Sequence, residues 1–188
     1  MTTTCDSETT TNLRFLVGRQ LVRVVAQRYP GYLAYSKVIL TFSDNSSILV
    51  DLECRTISPK FEVCVVRART MNAQVNLSDW DCFSFADFNL GTVYVIRRDE
   101  WIEPNTFSDA SLVGRNGVEQ RFGNIGIETM SDHVVTVDAG LSFLSLTGAE
   151  LRLDADTFPL VFQLRYVVAS SLLPDGSKFN FNVVPVSG

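Results

Sequence analysis

One histidine, His133, stands in the whole chain, and that scarcity removes much chemistry at the outset. A lone histidine cannot build a multi-histidine metal site, and no HExxH motif is present. The chain also lacks the Walker A and GxGxxG loops that cradle phosphates, and the GxSxG elbow of serine hydrolases. Its cysteines, Cys5, Cys54, Cys64 and Cys82, contain no CxxC pair, so zinc-ribbon and thioredoxin-like spacings are missing. The expected state is reduced thiols, with Cys54 and Cys64 able to neighbour each other on adjacent strands. No apolar run reaches the ~20 residues that a membrane-spanning helix needs. Positive charge is in the minority, 16 Lys and Arg against 21 Asp and Glu, for a net charge of −5. Binding a phosphate backbone requires clustered cations, so neither nucleic acid nor membrane is expected as a partner.

What the chain does have is alternation. In "SKVILTFSDNSSILVDLEC", Val38, Leu40 and Phe42 share one face, and Ile48, Val50, Leu52 and Cys54 resume the pattern after an Asp-Asn-Ser-Ser turn. Period two on both sides of a turn cluster predicts a β-hairpin. "QLVRVVAQR" reads as a strand, because its valines and the preceding Gly18 disfavour the competing helix from Leu13. "FEVCVVRA", "GTVYVIRRD", "HVVTVDA", "LSFLSL", "AELRLDA", "PLVFQLRYVVA" and "KFNFNVVPV" read as further strands. "LSDWDCFSFADFNLG" carries Ser78 and Asp81 at capping-box spacing and ends in Gly91, which predicts one short helix near 79–89. "EWIEPNTFSDASLVGRNG" reads as a loop from its Pro, Asn, Ser and Gly content.

The predicted fold class is therefore mainly β. Antiparallel sheets built from hairpins form a sandwich or a partly open barrel, with at most one or two short helices. Residues 1–12, Thr-rich and without a basic, apolar leader pattern, are expected as a disordered tail. Residues 13–188 then form a single β-rich domain. "LVGR" occurs at 16–19 and again at 112–115. A gapless overlay of 36–53 on 139–156 also sets Val38 on Leu141, Leu40 on Phe143, Val50 on Leu153 and the turn residue Asn45 on Gly148. Two pseudo-repeated halves, 13–70 and 108–170, are the reading this invites.

Candidate chemistry is thin. "SDH" at 131–133 places three triad residue types in a row, but adjacent turn residues point apart and a triad must converge. Cys54 or Cys82 paired with His133 has no local mark of activation. Paired carboxylates are the stronger option. Asp51 and Glu53 share a strand face, as do Asp154 and Asp156, at about 7 Å along the strand, within the range of a glycosidase pair. Trp80, Phe83, Phe85 and Phe88 suit a core cluster, and Trp101, beside Glu100 and Glu103, is the aromatic expected at the surface.

Three functions compete. The first is a non-catalytic, cytoplasmic module that binds another protein, using Asp51, Glu53, Asp154, Asp156 and Trp101 as its contact residues. In composition alone (acidic and compact) such a chain is similar to the immunity proteins that neutralise bacterial toxins. The second is a β domain that binds a small ligand in an aromatic-lined cavity. The third is a carboxylate-dependent hydrolase. No cofactor and no metal are expected, and the sequence leaves the oligomeric state open.

Overall fold

The computed structural model describes residues 2–3, 5–58, 61–71, 77, 79–102, 111–113, 119–121, 133–156, 160–167 and 181–186. Its elements in chain order are β1 (Thr2–Thr3), α1 (Ser7–Arg14), β2 (Gln20–Arg28), β3 (Tyr35–Phe42), β4 (Ser47–Ser58), β5 (Phe61–Thr70), β6 (Trp80–Ile102), β7 (Ser111–Val113), β8 (Glu119–Arg121), β9 (His133–Ser145), β10 (Glu150–Asp156), β11 (Val161–Val167) and β12 (Phe181–Pro185). The mainly β, antiparallel expectation holds: ten strands join one sheet, while β7 and β8 pair separately. Among the described residues no helix is long and apolar enough to cross a membrane.

The large sheet closes a circuit of pairings. β2 pairs β3, β3 touches β11 at Tyr35 and Phe162, β11 pairs β10, β10 pairs β9, β9 pairs β6, and β6 returns to β2. The 23 residues of β6 make this possible. Trp80–Asn89 pair with β2, and Leu90–Ile102 pair with β9. The apolar faces meet inside: Val24, Leu40, Phe42, Val50, Val66, Val93, Leu141, Phe143, Leu151, Leu153 and Phe162 form one buried cluster. Burying side chains of this size contributes roughly 1.5–3 kcal/mol each.

Two register irregularities bend β6. One falls where Leu21 and Arg23 face Phe88 and Ser84, the other between Leu90 and Thr92. The first sets four residue steps of β6 against two of β2, the second two steps against one of β9, and each switches which parity of β6 points inward. The helix expected near 79–89 is therefore wrong. The segment is strand, and its aromatics are spaced by bulges. The expected loop from Glu100 is corrected too, because Trp101 lies on β6 opposite Val134.

Helix α1 sits where residues 1–12 were expected as a disordered tail. Asp6 caps α1, its Oδ1 accepting the Thr9 N–H at 2.8 Å, with Glu8 in the first turn and Arg14 in the last. Those charges complement the helix dipole. The tertiary contacts are more telling. The backbone N–H of Ala68 donates to Thr9 Oγ1 at 3.2 Å, and Asn12 Nδ2 donates to the Ala68 carbonyl at 2.8 Å. α1 thus satisfies the outer edge of β5, and its Leu13 enters the core.

The two overlaid hairpins have matching turns. Phe42 N–H donates to the Ser46 carbonyl and Asn45 N–H to the Phe42 carbonyl; Ser145 and Ala149, then Gly148 and Ser145, repeat both bonds. Asn45 has φ +63° and Gly148 φ +85°. The two LVGR segments do not correspond in this way. Leu16–Arg19 leads from α1 into β2, while Leu112 and Val113 end β7 and the two residues after them lie outside the described residues. Pro59 and Pro159, and the expected "IGIETM" strand, also lie outside them.

Candidate functional site

The carboxylates singled out in the sequence are placed on outer strand faces, and arginines hold three of them. Asp51 on β4 pairs with Arg69 on β5. Glu53 pairs with Arg67, with Arg55 Nε at 3.7 Å, and Arg67 also reaches the helix-capping Asp6 at 3.4 Å. Asp154 on β10 is held by Arg152 Nε at 2.6 Å and Arg165 Nε at 3.2 Å. Cross-strand neighbours dictate this pattern: β4 and β5 pair so that Asp51 faces Arg67, with Arg69 on the diagonal. Asp154 and Asp156 come together in a shallow cleft of about 250 Å³ that Arg98, Gln163 and Arg165 also line. The side chains of Trp101 and His133 lie outside the described residues.

The most unusual chemistry is at a residue the alternation pattern conceals. Asp138 on β9 has a side chain 0% exposed. Its Oδ2 accepts the Val66 N–H at 3.3 Å, and a backbone hydrogen bond from Cys5 reaches the same carboxylate. Arg97, directly opposite on β6, brings Nε to 3.7 Å from Oδ1, too far for a hydrogen bond, so both atoms are buried and unsatisfied. Burial outweighs these favourable contacts and pushes the Asp138 carboxyl up to about 6. The same surroundings act on two thiols. Burial first, then the Asp138 charge, raises Cys5 and pushes Cys64 up to about 12. Raised thiols are poor nucleophiles, so this cluster joins the N-terminal segment, β5, β6 and β9 rather than presenting an attacking group.

Gly140 sets that geometry. β9 shifts register against β6 between Gly140 and Asp138, and Gly140 has φ +144°. Leu141 and Phe143 point into the core; beyond the irregularity Asp138 points inward as well, toward Cys5 and β5.

A different feature marks the end of the molecule where α1 gives way to β2. Gly18 N–H donates to the Leu90 carbonyl and Leu146 N–H to the Asn89 carbonyl, each at 2.8 Å. Chain segments on both sides of β6 therefore meet there. Leu146 is 76% exposed and Phe15 64%, and Val17, Tyr166 and Val167 are exposed as well. Tyr166 stacks edge-on to Phe85 with ring centres 5.3 Å apart, and Phe88 lies behind it, so the aromatic cluster read from the sequence serves partly as core and partly as the base of this surface.

Among the described residues no group of three or more His, Cys, Asp or Glu is arranged to hold a metal ion. Comparison with protein-family models, with curated proteins and with solved structures gives no match for the chain.

Proposed function

We propose that the protein is a non-catalytic, cytoplasmic recognition module that binds another protein through the apolar end bearing Phe15, Val17, Leu146 and Tyr166. The observation carrying this reading is that Phe15, Val17, Leu146 and Tyr166 are exposed from three chain segments at that end, whereas the exposed Tyr32 and Leu33 stand apart in the β2–β3 turn, at the opposite end of β2. Large apolar side chains grouped at one end are the kind of surface that a partner desolvates. The acidic residues suit the rim of such an interface better than its centre. Asp51, Glu53 and Asp154 already have arginine partners, which leaves little uncompensated charge to offer. The matched hairpin turns favour descent from two related halves, with the LVGR coincidence playing no part.

A photo-crosslinking residue in place of Leu146 is expected to yield a discrete covalent adduct with a partner protein in native lysate, and the same probe at Asp51 a much weaker one. Adducts from position 51 alone, or equal yields at both positions, would move the interface away from the apolar end.

A second reading rests on the cleft that unites Asp154 and Asp156 with Arg98 and Arg165. It would suit a small ligand carrying both signs of charge, and such a ligand would raise the melting temperature by binding only the folded state.

A further inference from the structure

Cys54 and Cys64 face each other across β4 and β5. The hydrogen bonds around them identify which kind of cross-strand pair they form. In an antiparallel ladder, opposed residues alternate between pairs that exchange both backbone bonds and pairs that exchange none. Met71 N–H donates to the Ser47 carbonyl at 3.0 Å, so 47 and 71 are a bonded pair. Counting along the register, Val50 with Ala68, Leu52 with Val66 and Cys54 with Cys64 are then the non-bonded pairs. Three hydrogen bonds check this independently. The Ala68 N–H and carbonyl turn outward to Thr9 and Asn12, and the Val66 N–H turns outward to Asp138. The register shift of this hairpin falls beyond the cysteines, between Thr56 and Ser58, so the alternation is unbroken at Cys54.

Non-bonded pairs bring opposed Cα atoms to about 4.5 Å, with the side chains on one face at their closest. A disulfide spans Cα separations of roughly 4.4–6.8 Å. Both residues are thiols in this structure, Cys54 exposed and Cys64 buried. We propose that Cys54 and Cys64 form an oxidative modification site, at which a peroxide converts the two thiols into a cross-strand disulfide.

The two sulfurs have different roles. The Cys54 thiolate, reachable from solvent, attacks one peroxide oxygen; the O–O bond breaks, Cys54 becomes a sulfenic acid and the departing hydroxide takes a proton to become water. The Cys64 sulfur then attacks the sulfenic sulfur. The S–O bond breaks, and the oxygen leaves as a second water carrying the Cys64 proton. In sum, two thiols and one hydrogen peroxide give one disulfide and two waters. Burial and the nearby Asp138 charge raise Cys64, so Cys54 is the thiol that meets peroxide first; Cys64 attacks slowly, as its proton passes to the departing oxygen, and only because the non-bonded pairing holds it against the sulfenic sulfur. The bond would lock β4 to β5 close to the Asp138 cluster. It would be reversible by thiols, as expected of a sensor in a reducing compartment.

The test is treatment of the full chain with a small molar excess of hydrogen peroxide, alkylation of the remaining thiols, and peptide mapping without reductant. The expected product is a monomer about 2 Da lighter than the untreated chain before alkylation, with Cys54 joined to Cys64, Cys5 and Cys82 then alkylated, and the link removed by dithiothreitol. The exposed-site variant Cys54→Ser should leave Cys64 alkylatable after the same treatment. Cys64→Ser should accumulate a sulfenic acid at Cys54 that dimedone traps; if that variant does not fold, the wild-type map still decides. Oxidation of Cys54 to the sulfinic acid with Cys64 untouched would overturn the proposal. So would a bridge from Cys54 to Cys5, to Cys82 or to a second chain.

Discussion

Replacing Gly140 by alanine is expected to destabilise the protein by about 4 kcal/mol, a large fraction of the roughly 5–15 kcal/mol that holds an ordinary domain folded. Two costs add. Gly140 has φ +144°, a conformation that side chains rarely adopt. A Cβ there would also be driven into the Leu153 carbonyl oxygen, with the carbonyl carbon at 3.1 Å and Asp154 Cα at 3.2 Å. These atoms are backbone, and Gly140 is paired with Asp154, so relief requires opening the β9–β10 ladder. Opening it would also release the turn that aims Asp138 inward. Gly148 offers the control, since its φ is +85° but nothing lies within 4 Å of a Cβ added there. Gly148→Ala should carry only the conformational part, about 1–2 kcal/mol. Chemical denaturation of both variants checks the pair; equal losses would mean that the close approach at Gly140 is absent in solution.

Asp138 should make stability fall as pH rises. Burial holds its carboxyl at about 6, against an ordinary value of 3.8, so the folded protein grips this proton more tightly than the unfolded chain does. The resulting stabilisation is complete below pH 3.8 and is lost as pH climbs through about 6. Its size is on the order of 3 kcal/mol. Other carboxylates act in the opposite sense. Asp6, Asp44 and Asp81 are lowered, chiefly by hydrogen bonds to Thr9, Ser46 and Arg28 respectively, and their contributions vanish as pH falls below the ordinary range. The comparison that isolates Asp138 is therefore wild type against Asp138→Asn. Between pH 4 and pH 7.5 the wild type should lose about 2.5 kcal/mol relative to the variant. A difference that stays flat across that window would mean that the carboxylate is solvated.

The parts of this fold legible in the sequence were those where one strand face is buried without interruption. Val38, Leu40 and Phe42, then Ile48 and Val50, announce β3 and β4 because every second residue meets the core. The overlay of Asn45 on Gly148 anticipated two turns of the same shape, since both positions need positive φ. β6 was hidden by its bulges. Phe83, Phe85, Phe88, Leu90, Val93 and Val95 advance by steps of two and three in turn, a rhythm between strand and helix that a capping-box spacing then tipped the wrong way. α1 was hidden because what holds its Thr-rich sequence is tertiary: Thr9 and Asn12 bond to Ala68, 59 and 56 residues away.

The candidate site divides along similar lines. The same-face carboxylates were visible, but their neutralising partners Arg67, Arg69 and Arg165 stand on other strands, and only the register brings them in. Asp138 was overlooked because strict alternation assigns it to the face opposite Leu141, and the irregularity at Gly140 reverses that assignment. The readable signal was a charged residue inside an apolar strand, two positions before a glycine. Exposure of Leu146 beside a hairpin turn had no signature, since turn residues are chosen for φ and an apolar neighbour is silent until its surroundings are known.

The claim that the apolar end receives the partner is tested most directly by calorimetric affinity, using the protein captured by crosslinking. Leu146→Asp should weaken binding about tenfold or more, equivalent to about 1.4 kcal/mol, with an unchanged melting temperature. Asp51→Ala combined with Glu53→Ala should stay within about twofold of wild type. Full affinity in Leu146→Asp, with binding lost in the acidic double variant, would contradict the account and place recognition on the charged faces of β4 and β5.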